Sequence, residues 1–437
     1  MRKAFLALTI IILISAFGFA NATQVRSSSL GPAAEFTTDD MDVWVYPAEL
    51  QNYPNMLSID LDTFLLKKDN LTFVGAWSDG EQKLGTFGAG FGDLFNQKNI
   101  ESLIPALNAA IANNPLMSPR NLIPQPVNIF HFFYAKDIGP VVTGLHLSRA
   151  SGDNSYDFSD TIPEDAVKRQ AGIGLWSLET GISTIIGDNI YLQSCFGYQA
   201  ISFSARFELS GADPLYWEEV ADKDANGVRL DLRLFYGLTN KLKIVPVISY
   251  KTLSFGYSAS YADTAHMPGS LYNGTGSSYF RGDFKGALGA EYRPGRDIKL
   301  MGGISLEYNV EDIADSNNIW LVTVNPARRY LCQNKTSVVF PGFQAGVETG
   351  LLRWLKLRLG ASQRPERIKT KSEYGNSSIA EISENTSVFN IYFGLGFDFG
   401  RFTIDVQLNK DQPYNIGYLV SGNPNEPFTR LSLKYSY

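Results

Sequence analysis

The chain has 437 residues, 44% of them hydrophobic, and a formal net charge of −6, which excludes a disordered chain and offers no basic surface for nucleic acid. Its mean hydropathy of −0.10 excludes a bundle of membrane-spanning helices, and its two cysteines exclude a disulfide framework or a zinc cluster. The excess of 22 Tyr, 28 Phe and 39 Gly favours strands and tight turns over helices.

Met1-Arg2-Lys3 is a positive start, Ala4 to Ala16 an apolar run, and Ala20-Asn21-Ala22 a small-x-small cleavage site. Residues 1–22 therefore read as a secretory signal peptide, with the mature chain beginning near Thr23. The competing reading, an uncleaved anchor, needs roughly 20 apolar residues and leaves the cleavage pattern unexplained. After residue 22 no segment is apolar for long enough to cross a bilayer as a helix, so a mature membrane protein has to be a β-barrel.

Residues 23–54 lack strand alternation. They hold Leu30-Gly31-Pro32-Ala33-Ala34 and then Asp39-Asp40-Met41-Asp42-Val43-Trp44-Val45-Tyr46-Pro47-Ala48-Glu49-Leu50, in which Val43, Trp44, Val45, Tyr46 and Leu50 call for burial. Short alternating segments follow near 55–66, 71–78 and 83–92, the last carrying Gly88-Ala89-Gly90-Phe91-Gly92, a glycine-rich strand rather than a dinucleotide loop. Residues 93–127 break the strand rhythm: Ile100, Leu103, Ile104, Leu107 and Ile111 recur at helical spacing before Asn113-Asn114-Pro115 ends the run. That stripe either packs against neighbouring loops or forms an apolar groove, and it is the substrate-contact candidate.

From there the chain alternates with period two over about ten residues at a time. Leu230, Leu232 and Leu234 interleave with Arg229, Asp231 and Arg233; Ile298, Leu300, Ile304 and Leu306 with Lys299, Met301, Ser305 and Glu307. The same pattern places Leu355, Leu357 and Leu359 between Lys356, Arg358 and Gly360, and Phe402, Ile404, Val406 and Leu408 between Thr403, Asp405 and Gln407. A soluble sandwich alternates too, but its strands average about five or six residues, whereas a tilted membrane strand needs about 9–11. Short turns near 138, 188, 240, 296, 352 and 400 alternate with longer polar segments at 150–169, 210–227, 258–278, 310–337, 364–385 and 411–426. That rhythm describes a barrel with short periplasmic turns and long external loops. The count is sixteen strands, with fourteen as the alternative, and it is even because both chain ends belong on one side. The final strand, Phe428 to Tyr437, ends on an aromatic residue like the C-terminal signal of bacterial outer-membrane barrels.

Candidate chemistry is sparse. His131 and His146 fall on expected strands and His266 in a loop, none at metal-ligand spacing, and neither a Gly-x-Ser-x-Gly nor a Walker sequence occurs. No cofactor and no enzymatic activity are expected. Asp222-Lys223-Asp224-Ala225-Asn226-Gly227 matches half a calcium loop, but Arg233 stands where the bidentate Glu belongs, and the same residues make ordinary turns. Cys195 lies on a strand and Cys332 in a long polar segment. The inward charges, among them Arg229, Asp231, Arg233, Lys285, Lys299, Arg358 and Asp405, are mixed in sign, which argues against a strongly ion-selective pore and suits pairing with each other or with a plug.

The small-residue stretch at 30–34, the acidic dipeptide Asp39-Asp40 and Tyr46-Pro47-Ala48-Glu49-Leu50, together with the barrel layout, resemble the long-chain fatty acid transporter (FadL/TodX-like) superfamily and its secretion-associated relatives. Tyr46 stands in place of that family's Asn, and Glu49 in place of its Gly. The resemblance implies an N-terminal hatch inside the barrel, with Trp44, Tyr46, Pro47, Ala48 and Leu50 as hatch residues, and energy-independent uptake of small hydrophobic molecules. The expected organisation is a signal peptide at 1–22, a hatch at 23–54 and an all-β, antiparallel outer-membrane barrel at 55–437, with 93–127 as a helical loop insertion. The alternative for 23–54 is a periplasmic tail. The alternatives for function are a barrel that anchors secreted or surface proteins and a general diffusion porin. Expected partners are outer-membrane lipid, a hydrophobic small molecule and, under the anchoring alternative, a secreted protein.

Overall fold

The computed structural model describes residues 24–62, 71–79, 83–92, 124, 126, 128–159, 166–210, 216–263, 270–315, 330–374, 379–408 and 428–437. The signal segment 1–22, the helical stripe within 93–127 (apart from Pro124 and Pro126) and His266 lie outside the described residues.

Sixteen antiparallel strands close into one ring in sequence order, with the last hydrogen-bonded to the first. They are β1 (Met56–Asp62), β2 (Leu71–Ser78), β3 (Thr86–Phe91), β4 (Asn128–Ile138), β5 (Val141–Ser159), β6 (Ala166–Ile186), β7 (Ile190–Ser210) and β8 (Tyr216–Gly237). The second half comprises β9 (Leu242–Asp263), β10 (Ser270–Tyr292), β11 (Ile298–Asp315), β12 (Tyr330–Leu352), β13 (Leu355–Tyr374), β14 (Ile379–Asp398), β15 (Phe402–Leu408) and β16 (Phe428–Ser436). Closure runs from Met56 opposite Ser436 to Asp62 opposite Arg430, and the Tyr437 N–H donates to the Asn55 carbonyl at 3.0 Å. Both ends of the barrel therefore lie at the short-turn end, as an even strand number requires.

Alternation decides which side chain meets which environment. On β8, Leu230 (46% exposed) and Leu232 (37%) face outward, while Arg229 (7%), Asp231 (6%) and Arg233 (3%) face the lumen. On β11, Ile298, Leu300, Ile304 and Leu306 face outward and Met301 and Ser305 inward. Trp176, Leu178, Ile182, Phe196, Tyr198, Ile248 and Leu288 extend the same outer belt. In water this apolar face would be a large liability; against lipid it is the face that inserts.

The wall is uneven in height. The described strands β5 to β14 run for 18–23 residues, about twice what a bilayer needs, while β15, β16, β1, β2 and β3 run for 6–9. Much of what reads as polar loop is therefore hairpin: β5 continues to Ser159 paired with Ala166, and β8 begins at Tyr216 opposite Asp263. Ser, Thr and Tyr-rich segments rising beyond the lipid keep their backbone groups paired by continuing the ladder, which costs less than leaving them to water in a loop.

The calcium-like sequence lies inside β8 as a bulge. The register steps from Lys223 opposite Gly256 to Asn226 opposite Ser254, and Asp224 takes a φ of 55°. Asn226 Nδ2 donates to the Asp224 carbonyl at 3.0 Å, and the Phe203 N–H donates to Asp222 Oδ1 at 3.1 Å. Asp, Asn and Gly are there because a bulge needs short side chains that clip its unpaired backbone groups. Cys195, inward on β7, is a buried free thiol, and Cys332 lies on β12.

Candidate functional site

Residues 24–53 run along the inner face of the ring. Helix α1 (Gln24–Leu30) leads into three short 3₁₀ turns, Gly31–Phe36, Asp40–Trp44 and Pro47–Asn52. α1 lies against β12 to β16, the first 3₁₀ turn against β10 to β13, and the third against β3 to β6. Pro32 and Pro47 each sit at the start of a turn, where a missing N–H costs nothing. Asp39 caps the second: its carboxylate accepts from the Met41 N–H at 3.0 Å, while its own N–H donates to Asp42 Oδ2 at 3.1 Å.

The wall makes room for this segment with glycines. A Cβ on Gly144 of β5 would stand 2.1 Å from the Ala48 nitrogen, and one on Gly181 of β6 2.9 Å from Pro47 Cδ. A Cβ on Gly360 of β13 would stand 2.4 Å from the Leu30 carbonyl oxygen. Gly289 and Gly303, on neighbouring strands, flank the Phe36 ring, which either Cβ would strike within 2.6 Å.

Charge holds the segment where the glycines admit it. Glu348 of β12 accepts from Arg26 through both oxygens, at 2.7 and 3.1 Å, and from Arg358 of β13 at 2.7 Å; Arg358 goes on to Asp405 of β15. Arg233 of β8 pairs with Asp42, donates to the Glu35 and Thr37 carbonyls at 3.2 Å each, and lies 4.8 Å over the Tyr46 ring. Lys285 and Gln344 meet Glu35, Lys299 donates to Thr37 at 3.0 Å, Lys434 pairs with Asp40, and the Tyr191 hydroxyl donates to Glu49. Burial disfavours the Arg26 charge, yet Glu348 and Asp39 together outweigh it and hold the guanidinium above its ordinary value. Burial pushes the Asp40 carboxyl up to about 7, with Lys434 pulling the other way.

Of the residues singled out in the sequence, Trp44, Tyr46, Pro47, Ala48 and Leu50 are all buried on this inner face. Trp44 stands perpendicular to His131, Phe133 and His146 at centroid distances of 4.7, 5.1 and 6.1 Å. Leu50 joins Met41, Val43, Trp44, Met56, Val74, Ala76, Phe133 and Ala135 in one apolar cluster. Ile100, Leu103, Ile104, Leu107 and Ile111 lie outside the described residues. Among the inward charges, Arg233, Lys285 and Lys299 go to the segment, whereas Arg229 with Asp231 and Arg281 with Asp283 pair within the wall.

Sequence reasoning missed the partnership of His131, His146 and Glu179, on β4, β5 and β6. His131 Nδ1 is 2.9 Å from His146 Nε2, and His146 Nδ1 is 3.0 Å from Glu179 Oε2. Glu179 then meets Arg229 at 3.3 Å. All three occupy the inward parity of their strands, so combining turn positions with alternation would have faced them into one lumen.

A second inward layer lies farther from the short turns along the same strands. Ile173 and Leu175 of β6, Ile201 and Phe203 of β7, Phe255 of β9 and Tyr279 of β10 are all buried. Phe255 stacks on Tyr279 at 4.7 Å and meets Phe203 edge-on at 5.9 Å. On β6, β7, β9 and β10 the inward face is thus apolar and aromatic on the far side of the charged layer, whereas on β11 to β13 polar pairs such as Ser337 with Glu366 continue to that height.

No family model matches this sequence, and no curated protein matches it significantly. Among solved structures it is similar to outer-membrane barrels of the FadL and TodX kind. One is a Pseudomonas aeruginosa FadL homologue, with 10% identity over 96% of this chain and 99% of that one and a TM-score of 0.40. Others are the P. putida toluene transporter TodX (12% identity, 92% and 95% covered, TM-score 0.36) and the Ralstonia pickettii toluene transporter TbuX (10%, 94% and 99%, 0.36). Likenesses this distant assign no function to the chain.

Proposed function

We propose that this chain is a bacterial outer-membrane barrel that admits small hydrophobic molecules without energy coupling, with residues 24–53 as its plug. The observation that carries the proposal is the order of the lumenal groups along β6, β7, β9 and β10. An apolar, aromatic layer around Phe203, Phe255 and Tyr279 lies on the far side of a segment bound to the wall by ion pairs. A water-filled pore for polar solutes has no use for buried aromatic rings in its lumen, because ordering water against them is unfavourable. A hydrophobic solute would gain by entering that layer and be halted by the charged one, so passage requires the plug to move.

One feature favours the anchoring alternative. The outer half of β14 is exposed on both faces, with Ile379, Ile382, Val388 and Phe389 all open, a surface on which a secreted protein could dock.

The test uses purified mature protein, refolded and reconstituted, alongside a variant lacking residues 24–53. Uptake of a fluorescent fatty acid or a monoaromatic compound into vesicles, with negligible ion current in planar bilayers, is the expected result, and the truncated variant should conduct. Stable large conductance from the intact protein would make it a porin. Silence in both assays from folded protein would favour the anchoring role.

A further inference from the structure

Four ring nitrogens, one carbonyl and one carboxylate form a linear hydrogen-bond chain beneath Trp44. His131 Nε2 is 2.9 Å from the Gly92 carbonyl oxygen, His131 Nδ1 is 2.9 Å from His146 Nε2, and His146 Nδ1 is 3.0 Å from Glu179 Oε2. The two ends of this chain, a carbonyl and a carboxylate, only accept. Three hydrogen bonds therefore need three protons on the four nitrogens, whereas two neutral imidazoles bring two. We propose that His131 and His146 share one extra proton, and that this singly charged pair is the seat that positions Trp44 of the plug, so that the plug is held most tightly at intermediate pH. The inference rests on residues 24–53 being the plug.

Burial works against a positive charge there, and the Glu179 carboxylate bound to His146 works for it. Both histidines are almost fully buried, and the Phe133 ring stacks on His146 at 4.2 Å with planes within 6°. Glu179, also buried, faces the pair from β6 and is bound in turn by Arg229 of β8, which pairs with Asp231. With the shared proton, His pair, Glu179, Arg229 and Asp231 sum to zero. Among the described residues, Lys251 of β9 and the Cys195 thiol of β7 also face Glu179, the Tyr46 hydroxyl faces Arg229 and Asp231, and Asp42 and Glu49 flank Trp44 on the plug itself.

The proton count sets the sign on both sides. Removing the shared proton turns two lone pairs toward each other across 2.9 Å, or strips the donor from Gly92 or Glu179. Adding a second proton turns two N–H groups toward each other across the same gap. Either change pushes the stacked rings apart, and Trp44 stands perpendicular on those rings. A buried hydrogen bond lost in this way corresponds to about a fivefold or greater rise in the unseated fraction.

The experiment uses the mature protein in phosphatidylcholine vesicles. Nitrogen-15 histidine spectra count ring protons, with His266 assigned through His266→Gln, and acrylamide quenching reads Trp44 as the difference between wild type and Trp44→Phe. We expect three protons on the His131 and His146 rings at pH ~7, with Trp44 shielded there and about fivefold more quenchable at pH ~10. His146→Gln and His131→Gln, which keep polar atoms in place but cannot titrate, should each make quenching independent of pH. Two protons on those rings at neutral pH, or a pH dependence that survives both substitutions, would overturn the inference. Trp44 fully quenchable at every pH in wild type would show instead that the segment is not seated, and the plug reading would fail with it. Shielding that follows pH as described, in protein that takes up no hydrophobic compound, would leave the seat standing and refute only the transport role.

Discussion

Gly144→Ala adds one methyl group and tests whether the wall is shaped to the N-terminal segment. The new Cβ would lie 2.1 Å from the Ala48 nitrogen and 2.3 Å from the Pro47 carbonyl carbon, both backbone atoms that no rotamer change can move. To reach the 3.4 Å of ordinary contact, the Pro47–Asn52 turn must retreat by about 1.3 Å. That turn carries the Tyr191–Glu49 bond, the Gln51 Nε2 donation to Asp137 at 3.3 Å and the Thr86 donation to Gln51 at 3.0 Å, so all three stretch together. Overpacking of this kind costs about 2 kcal/mol, or about 30-fold in the ratio of unseated to seated protein. The loss of glycine's freedom in the unfolded chain favours folding by at most about 1 kcal/mol and does not offset it. Bilayer current and Trp44 quenching should both rise, while heat-modifiable gel migration shows the barrel still closed. Gly295→Ala, where nothing lies within 4 Å, is the control and should leave both unchanged. A Gly144→Ala protein with wild-type current and wild-type shielding of Trp44 would refute the idea that these glycines mark the plug's footprint.

Glu348→Gln leaves Arg26 and Arg358 facing each other without their shared carboxylate, and should lower the urea midpoint by an amount corresponding to about 3–5 kcal/mol; replacing Arg26 and Glu348 together by Met should recover much of it. Asp40, raised in the folded protein to about 7, binds its proton more tightly folded than unfolded. Its contribution to stability is therefore present in full below the unfolded value and is lost as pH rises through about 7; urea midpoints across that range should fall in the wild type and flatten in Asp40→Asn. Phe255→Asp places a carboxylate in the aromatic layer and should cut hydrophobic uptake about tenfold without opening the pore to ions, and unchanged uptake would remove that layer from the pathway.

Period-two alternation, together with a long-and-short rhythm of connections, is a local property of the chain, and it was enough to indicate a sixteen-stranded barrel, the side of the wall each residue faces and the end that holds the short turns. It was enough because a strand has only two faces and lipid tolerates only one kind of side chain on the outer one. The apolar density around Trp44 and Tyr46 likewise announced a buried segment. Loop length was not legible, since Ser, Thr and Tyr serve equally in a loop and in a hairpin that rises above the membrane, and only pairing across strands distinguishes them. Nor could the sequence say which glycines mark contact. Gly144, Gly181 and Gly360 look like any other strand glycines until Ala48, Pro47 and Leu30 are laid on them. The same holds for charge. Arg233 and Arg229 are four residues apart on one face of one strand, yet Arg233 binds the N-terminal segment and Arg229 binds the wall, because the segment crosses the lumen at one height and not the other. His131, His146 and Glu179 show the limit most plainly: up to 48 residues apart in the chain, they became one hydrogen-bonded chain only when pairing of the strands brought β4, β5 and β6 side by side with all three groups facing inward.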